Sequence, residues 1–301
     1  MKWLKRIRDK ARRRIRSIRQ SIYSRLTNAE QRREIKELQD ELFSVPPLPP
    51  IQFLSDPLAN WLSTAREEMS EFLAEEDGIS DEEHQYLLMQ MFFRGPVDKI
   101  REEQREILDS IEVDESIHSL PVWDLGCGRG ELLQVLNEAG FRAVGIDKSA
   151  LMIKKMKDLG LEALHGDAID ELQKTPDGSL CGITAFHVIE HMPFEVVLEL
   201  LRASYQKLAP GGFLLLETPN PFCFESLSFF HTDQTHVRPI QPYQLAFLVE
   251  TAGFADTRLH FTAPVPTTRR HQTHNFMQLY QNHGIVAKKP LASDACLKKV
   301  A

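Results

Sequence analysis

The stretch that most constrains this chain is Val122-Trp123-Asp124-Leu125-Gly126-Cys127-Gly128-Arg129-Gly130-Glu131. An apolar run leads into glycines at alternate positions. Leu132, Leu133, Val135, Leu136 and Ala139 then follow with helical period. Strand, glycine turn and helix together make a nucleotide-binding βα layout. The glycines let the backbone approach a ligand, and the helix N-terminus offers N–H groups that have no partner inside the helix. A second apolar run, Ala143-Val144-Gly145-Ile146, ends in Asp147, 21 residues after Gly126. A carboxylate at that spacing can take both hydroxyls of a ribose.

The glycine spacing narrows the ligand. Gly126, Gly128 and Gly130 read G-x-G-x-G, whereas the dinucleotide fingerprint reads G-x-G-x-x-G. Gly130 at the fifth position and Glu131 at the sixth, in a turn preceded by Asp124, point away from a pyrophosphate, which extra carboxylates would repel, and suit a ligand with a cationic head. With Asp147, His165-Gly166-Asp167 and Leu208-Ala209-Pro210-Gly211-Gly212 in the same order, the sequence resembles the class I S-adenosylmethionine (SAM)-dependent methyltransferases from about Pro121 to about Lys289. SAM is therefore the expected cofactor.

From residue 121 onward, apolar runs and helical patterns alternate. Strands are expected at 121–126, 142–147, 161–166, 180–187, 213–218, 256–263 and 276–287. Helices are expected at 130–139, 149–159, from 168, 194–207 and 242–252. Such alternation predicts an α/β fold with a mainly parallel sheet and helices on both faces. The resemblance implies a Rossmann-like sheet of seven strands, the last inserted antiparallel beside the fifth. An all-helical N-terminal extension should precede it. The expected segments are a basic amphipathic helix at 1–43, a proline-rich linker at 44–57, a helical lid region at 58–118, the methyltransferase domain at 119–290 and a tail at 291–301.

The N-terminal helix has an apolar stripe, Leu4, Ile7, Ala11, Ile15, Ile18, Ile22, Leu26 and Ala29, flanked by basic residues. Eleven Lys/Arg against one Asp in the first 25 residues give a balance of +10. The remainder therefore carries −17 to reach the net −7. An acidic body with a basic arm argues against nucleic acid as a partner. It suits an anionic membrane surface contacted through residues 1–26. Packing of the stripe on the chain's own body or on a second copy, giving a homo-oligomer, is the alternative. No apolar run approaches the ~18–20 residues needed to span a bilayer. Four dispersed cysteines fit a reducing cytosol. The expected location is cytoplasmic, at the inner face of the membrane.

In open α/β sheets ligands bind at the carboxyl ends of the strands. The resemblance places Asp124 and the turn Gly126, Cys127, Gly128 and Gly130 at the methionine part of SAM. It places Asp147 with Lys148 at the ribose, Asp167 and Ala168 at the adenine, and His187 in the cleft. Asp167 could equally cap the next helix. His187 and His191 lie four apart, a spacing that on a helix suggests a metal pair, but no third ligand follows at suitable spacing, so no metal is expected.

The least generic segment is His231-Thr232-Asp233-Gln234-Thr235-His236-Val237-Arg238-Pro239, part of an irregular insertion. It resembles the Asp-Pro-Thr-His-x-Arg-Pro segment of methyltransferases associated with bacterial surface polysaccharides, with Gln234 in place of proline. A glycan or glycolipid acceptor is what that resemblance implies. Methyl transfer from a sulfonium is an in-line displacement, and alignment supplies much of its rate. A sugar hydroxyl needs a base, for which His236 and then His231 are the candidates. A phosphate acceptor needs none, and Arg238, with Arg269 and Arg270, would hold its charge. A quinone-type or other small-molecule O-methyltransferase, or a non-catalytic partner protein that kept the fold, are the rival readings.

Overall fold

The computed structural model describes residues 97–265 and 275–291. The helix expected at 1–43, the linker at 44–57, most of the lid region, Arg269, Arg270 and all but the first residue of the tail lie outside them.

Helix α1, Val97–Asp109, comes first and buries Gln104, Ile107 and Leu108. Strand β1 (Val122–Leu125), α2 (Glu131–Glu138), β2 (Ala143–Asp147), α3 (Ala150–Asp158), β3 (Ala163–His165), α4 (Ala168–Lys174) and β4 (Leu180–Phe186) follow. After a 3-10 turn at Ile189–His191 come α5 (Phe194–Lys207), β5 (Leu208–Pro219), α6 (Phe224–Phe230), α7 (Pro242–Thr251) and β6 (Ala255–Pro264). A second 3-10 turn, Phe276–Leu279, leads into β7 (Tyr280–Lys288). The seven strands lie in the order β3-β2-β1-β4-β5-β7-β6. Strands β1 to β5 run parallel, and β7 lies antiparallel between β5 and β6. This is the expected sheet.

Alternation along the strands explains the layering. Trp123 and Leu125, Val144 and Ile146, and Leu214 and Leu216 face one core, which α4, α5 and α7 close with Leu172, Leu200, Leu201, Leu245 and Val249. Val122, Ala143, Phe213 and Leu215 face the other, closed by α1, α2 and α3 with Leu108, Leu133, Leu136 and Met156. Each fully buried side chain of this size is worth about 1.5–3 kcal/mol. A strand apolar on both faces needs helices on both, which is why the runs read as continuous rather than alternating.

Three departures from the expected elements have local causes. β5 starts at Leu208 rather than 213, because its register with β4 shifts: Leu208 pairs with Leu180 and Phe213 with Gly182. The insertion after β5 is not wholly irregular, since Phe224–Phe230 forms a helix. The expected strand from 276 begins as a 3-10 turn and pairs from Tyr280. Arg101 and Arg105, within the lid region, both bind Glu138 on α2, Arg105 Nη2 at 2.5 Å.

The end of the sheet nearest the insertion is tightly fitted. A Cβ at Gly284 would lie 2.1 Å from the Leu216 carbonyl oxygen and 2.3 Å from His260 Nε2. Gly284→Ala should therefore spread β5 from β7, costing about 2 kcal/mol or more and lowering the melting temperature by roughly 4–8 °C; thermal unfolding measures it. Beside it, His283 is fully buried and its Nε2–H donates to the Ile240 carbonyl at 2.8 Å, which tethers the end of the insertion to β7. Burial pushes this imidazole down from 6.5 to about 4, so the folded state disfavours its protonation. Its contribution is complete above about pH 6.5 and is lost as the pH falls to about 4, a change of about 3 kcal/mol. Urea unfolding at several pH values should show this slope, and His283→Gln should flatten it.

Candidate active site

At the carboxyl end of β1 the glycine turn is fastened to β2. The N–H groups of Gly126 and Cys127 donate to the Ile146 carbonyl at 2.8 and 3.2 Å, and Gly128 N–H donates to Asp147 Oδ2 at 2.9 Å. Gly126 has φ 68°, and a Cβ there would lie 2.5 Å from Val188 Cγ2, so only glycine lets the segment after β4 come this close. Asp124 is buried beneath the turn and accepts from Thr184 Oγ1 of β4 at 2.7 Å. Cys127 is buried, its sulfur placed where a Cβ on Gly145 would fall. It therefore offers a ligand its backbone rather than its thiol. Glu131 does not present unpaired negative charge to a cationic ligand, because Arg129 Nε donates to its Oε1 at 2.6 Å.

Asp147 lies half-buried at the tip of β2. Its Oδ1 accepts from Ser149 N–H at 2.8 Å and its Oδ2 from Gly128. Each oxygen keeps a second acceptor direction for a ribose hydroxyl. Asp167 is the N-cap of α4, accepting from Ile169 and Asp170 N–H groups, and Lys148 Nζ lies 2.8 Å from its Oδ2. Burial acts to raise this carboxyl, but Lys148 and the two backbone donors outweigh it and hold it below its usual value. An adenine amino group would compete there with Lys148. Ala168 is buried as the first residue of α4.

After β4 the chain turns sharply. His187 has φ 55°, a backbone conformation uncommon outside glycine and costing of order 1–3 kcal/mol. Its Nδ1 lies 3.3 Å from Glu190 Oε1 and its Nε2 3.8 Å from Glu217 Oε1. Both carboxylates are buried. Thr218 donates to Glu190 Oε2 at 3.0 Å, and Thr262 donates to Glu217 Oε2 at 2.8 Å. Burial acts to raise both carboxyls. His187 for Glu190, and His260 with His187 and Thr262 for Glu217, hold them below the ordinary value. Neither acid was singled out from the sequence. The available signal was an acid placed at the end of each apolar strand run.

The segment 231–239 folds onto this turn. Val237 N–H donates to the Glu190 carbonyl at 2.8 Å. Asp233 Oδ1 accepts from both the N–H and the hydroxyl of Thr235, at 2.8 and 2.6 Å. His191 Nδ1 lies 2.8 Å from Thr235 Oγ1, and burial pushes its imidazole down. His236 sits between Phe230, tilted against it at a centroid distance of 4.4 Å, and His191, edge-on at 4.6 Å, and its Nδ1–H donates to the Phe230 carbonyl at 2.5 Å. His231, by contrast, is exposed at the end of α6 and meets only the edge of Phe230 among ring contacts. Arg238 lies over the Phe194 ring, 4.4 Å from its centroid, and its buried Nε and Nη2 have no acceptor among the described residues. His187 and His191 do not form a helical pair. His191 instead meets Glu190 and His236, and one ligating atom from each of the three lies within 4.8 Å of the others.

A sheet of this order, with a glycine turn after β1 and an acid after β2, defines the class I SAM-dependent methyltransferase fold. The profile of the methyltransferase-domain family matches residues 89–259, and the chain belongs to that family. A SAM-dependent methyltransferase from Archaeoglobus fulgidus has a similar structure, with TM-score 0.61 and 28% identity, covering 68% of this chain and 99% of that one. A probable SAM-dependent methyltransferase from Mycolicibacterium smegmatis is 28% identical over 135 residues, 44% of this chain and 51% of that protein. A ubiquinone biosynthesis O-methyltransferase from Nitrosococcus oceani is 31% identical over 118 residues, 38% and 49% respectively. The chain spans about half the length of the curated relatives it matches.

SAM supplies a methyl group already activated by its sulfonium. The residues at the strand ends fit it: Asp147 keeps acceptor capacity for a ribose, and the turn brings backbone rather than side chains to the cleft. Asp147→Asn replaces an acceptor with an N–H donor facing either Gly128 N–H or Ser149 N–H. It should weaken SAM binding roughly 10–100-fold, the worth of one charge-assisted hydrogen bond. Calorimetric titration with SAM tests this.

Proposed function

We propose that this methyltransferase acts on an oxygen acceptor, a sugar hydroxyl or terminal phosphate, of a glycan or glycolipid. The observation that carries the reading is the hydrogen bonding of His236. With Nδ1–H donated to the Phe230 carbonyl, the neutral ring keeps its lone pair on Nε2. That is the tautomer a base for a hydroxyl needs. Arg238 adds a guanidinium with buried, unbonded N–H groups, and such groups cost free energy until an acceptor meets them. An anionic oxygen beside it would do so. The likeness of 231–239 to the surface-polysaccharide methyltransferases supports the same acceptor class. The basic, apolar-striped first 26 residues support a position at an anionic membrane face. Among the described residues no helix is long and apolar enough to cross a membrane.

A second reading is favoured by the relatives named as ubiquinone O-methyltransferases: the acceptor would then be the hydroxyl of a quinone precursor. Methyl-labelled SAM offered to cell-envelope fractions separates the two. Label in the water-soluble glycan after mild acid release supports the glycan reading, and label confined to neutral lipid extracts favours the quinone. His236→Ala should lower kcat roughly 10²–10⁴-fold. Arg238→Ala should raise KM for the acceptor roughly 10–100-fold. SAM affinity should change little in either variant. If SAM affinity collapses instead, these residues belong to the cofactor site and the assignment fails.

A further inference from the structure

We infer that Glu190, His191 and His236 form a binding site for a divalent first-row transition-metal ion. Two histidines and a carboxylate each bring one ligating atom within 4.8 Å of the others. The proton positions favour ligation. Thr235 gives its hydroxyl proton to Asp233 Oδ1 at 2.6 Å, so its oxygen accepts from His191 Nδ1–H at 2.8 Å. His236 Nδ1–H is donated to the Phe230 carbonyl. Both rings therefore keep their lone pair on Nε2, each oriented through its other nitrogen, which is how metal-binding imidazoles are usually held. The carboxylate adds an independent sign. Glu190 is fully buried and Thr218 occupies its Oε2, while Oε1 has no hydrogen-bond donor. The contact with His187 Nδ1 at 3.3 Å lacks hydrogen-bond geometry. The nearby His187 offsets part of the cost of burying this oxygen, and a cation would satisfy the rest.

The donor set selects the ion. Imidazole nitrogens with one carboxylate suit Zn²⁺, Fe²⁺ or Co²⁺ and disfavour Mg²⁺ and Ca²⁺. With bonds of about 2.0–2.2 Å, ligand atoms stand roughly 3–3.5 Å apart, so atoms spaced up to 4.8 Å must close by as much as about 1.3–1.8 Å. His191 and His236 sit on a short turn and a loop, where small ring rotations supply that movement. Three protein ligands leave a coordination position open. What the ion does there rests on the proposed function: in the metal-free protein His236 Nε2 serves as the base, and with the ion bound that nitrogen is a ligand and the ion would instead hold the acceptor oxygen and let its proton pass to water. Whether the ion binds does not rest on that reading.

The test is titration of metal-free, full-length protein with Co²⁺, followed by the visible absorption of the bound ion, with Zn²⁺ as competitor. The expected result is one equivalent bound. His191→Ala and His236→Ala should weaken it on the order of 100-fold, and Thr235→Val, which removes the bond orienting His191, roughly 10-fold. SAM titration of each protein shows that it is folded. Wild-type protein that binds SAM but takes up neither ion overturns the site, and so does uptake that the histidine variants leave unchanged. Metal uptake without methyl transfer to any envelope fraction would defeat the acceptor reading alone. Transfer by a protein that takes up no metal would defeat this one alone.

Discussion

The arrangement of this site depends on a carboxylate with no contact with solvent. Glu190 sits one short turn beyond β4, fully buried, and three parts of the chain converge on it. Its Oε2 takes the Thr218 hydroxyl from β5, its carbonyl takes Val237 N–H from the insertion, and its Oε1 lies beside His187. Truncating one partner of such a buried group leaves the rest unsatisfied, at a cost of several kcal/mol. The loop 231–239 is therefore held by the sheet, and its geometry inherits the sheet's rigidity. That rigidity comes in turn from two apolar cores pressed on the two faces of the same strands.

Much of the fold was legible in the chain because its determinants are local. Alternate glycines after an apolar run, an acid 21 residues on, and helices of period 3.6 between short apolar strands are all readable without contacts. The parts that were missed are set by pairing. The early start of β5 follows from its shifted register with β4, and the helix Phe224–Phe230 lies in a stretch whose polar and aromatic composition suggested a loop. At the strand ends, the residues read as a cofactor cleft were easy to place because each follows its own strand. The meeting of His191 with His236 was not legible, because they are 45 residues apart and come together only where Val237 pairs with the carbonyl of Glu190. For Glu131 the charge was visible in the sequence and the Arg129 bond to it was not.

The two histidines first considered as a pair illustrate how spacing misleads at a strand end. On a helix, residues 187 and 191 would share a face. Here β4 ends at Phe186 and His187 takes a positive φ, so the two rings diverge, one toward Glu217 and the other toward Thr235. The strained residue turns the chain, and that turn delivers Glu190 to the interior. Backbone strain at such a point persists only because the surrounding bonds over-determine it.

Val188 packs where Gly126 lacks a side chain, so the donor-side turn touches the segment that carries Glu190 and His191. Were the proposed acceptor held on that segment, any adjustment of the turn as the adenosyl ligand enters would press on it. The two occupancies are then thermodynamically linked, and linkage is reciprocal: whatever the first does to the affinity of the second, the second returns in equal measure. A single missing methyl group thus sets the contact through which each ligand would feel the presence of the other.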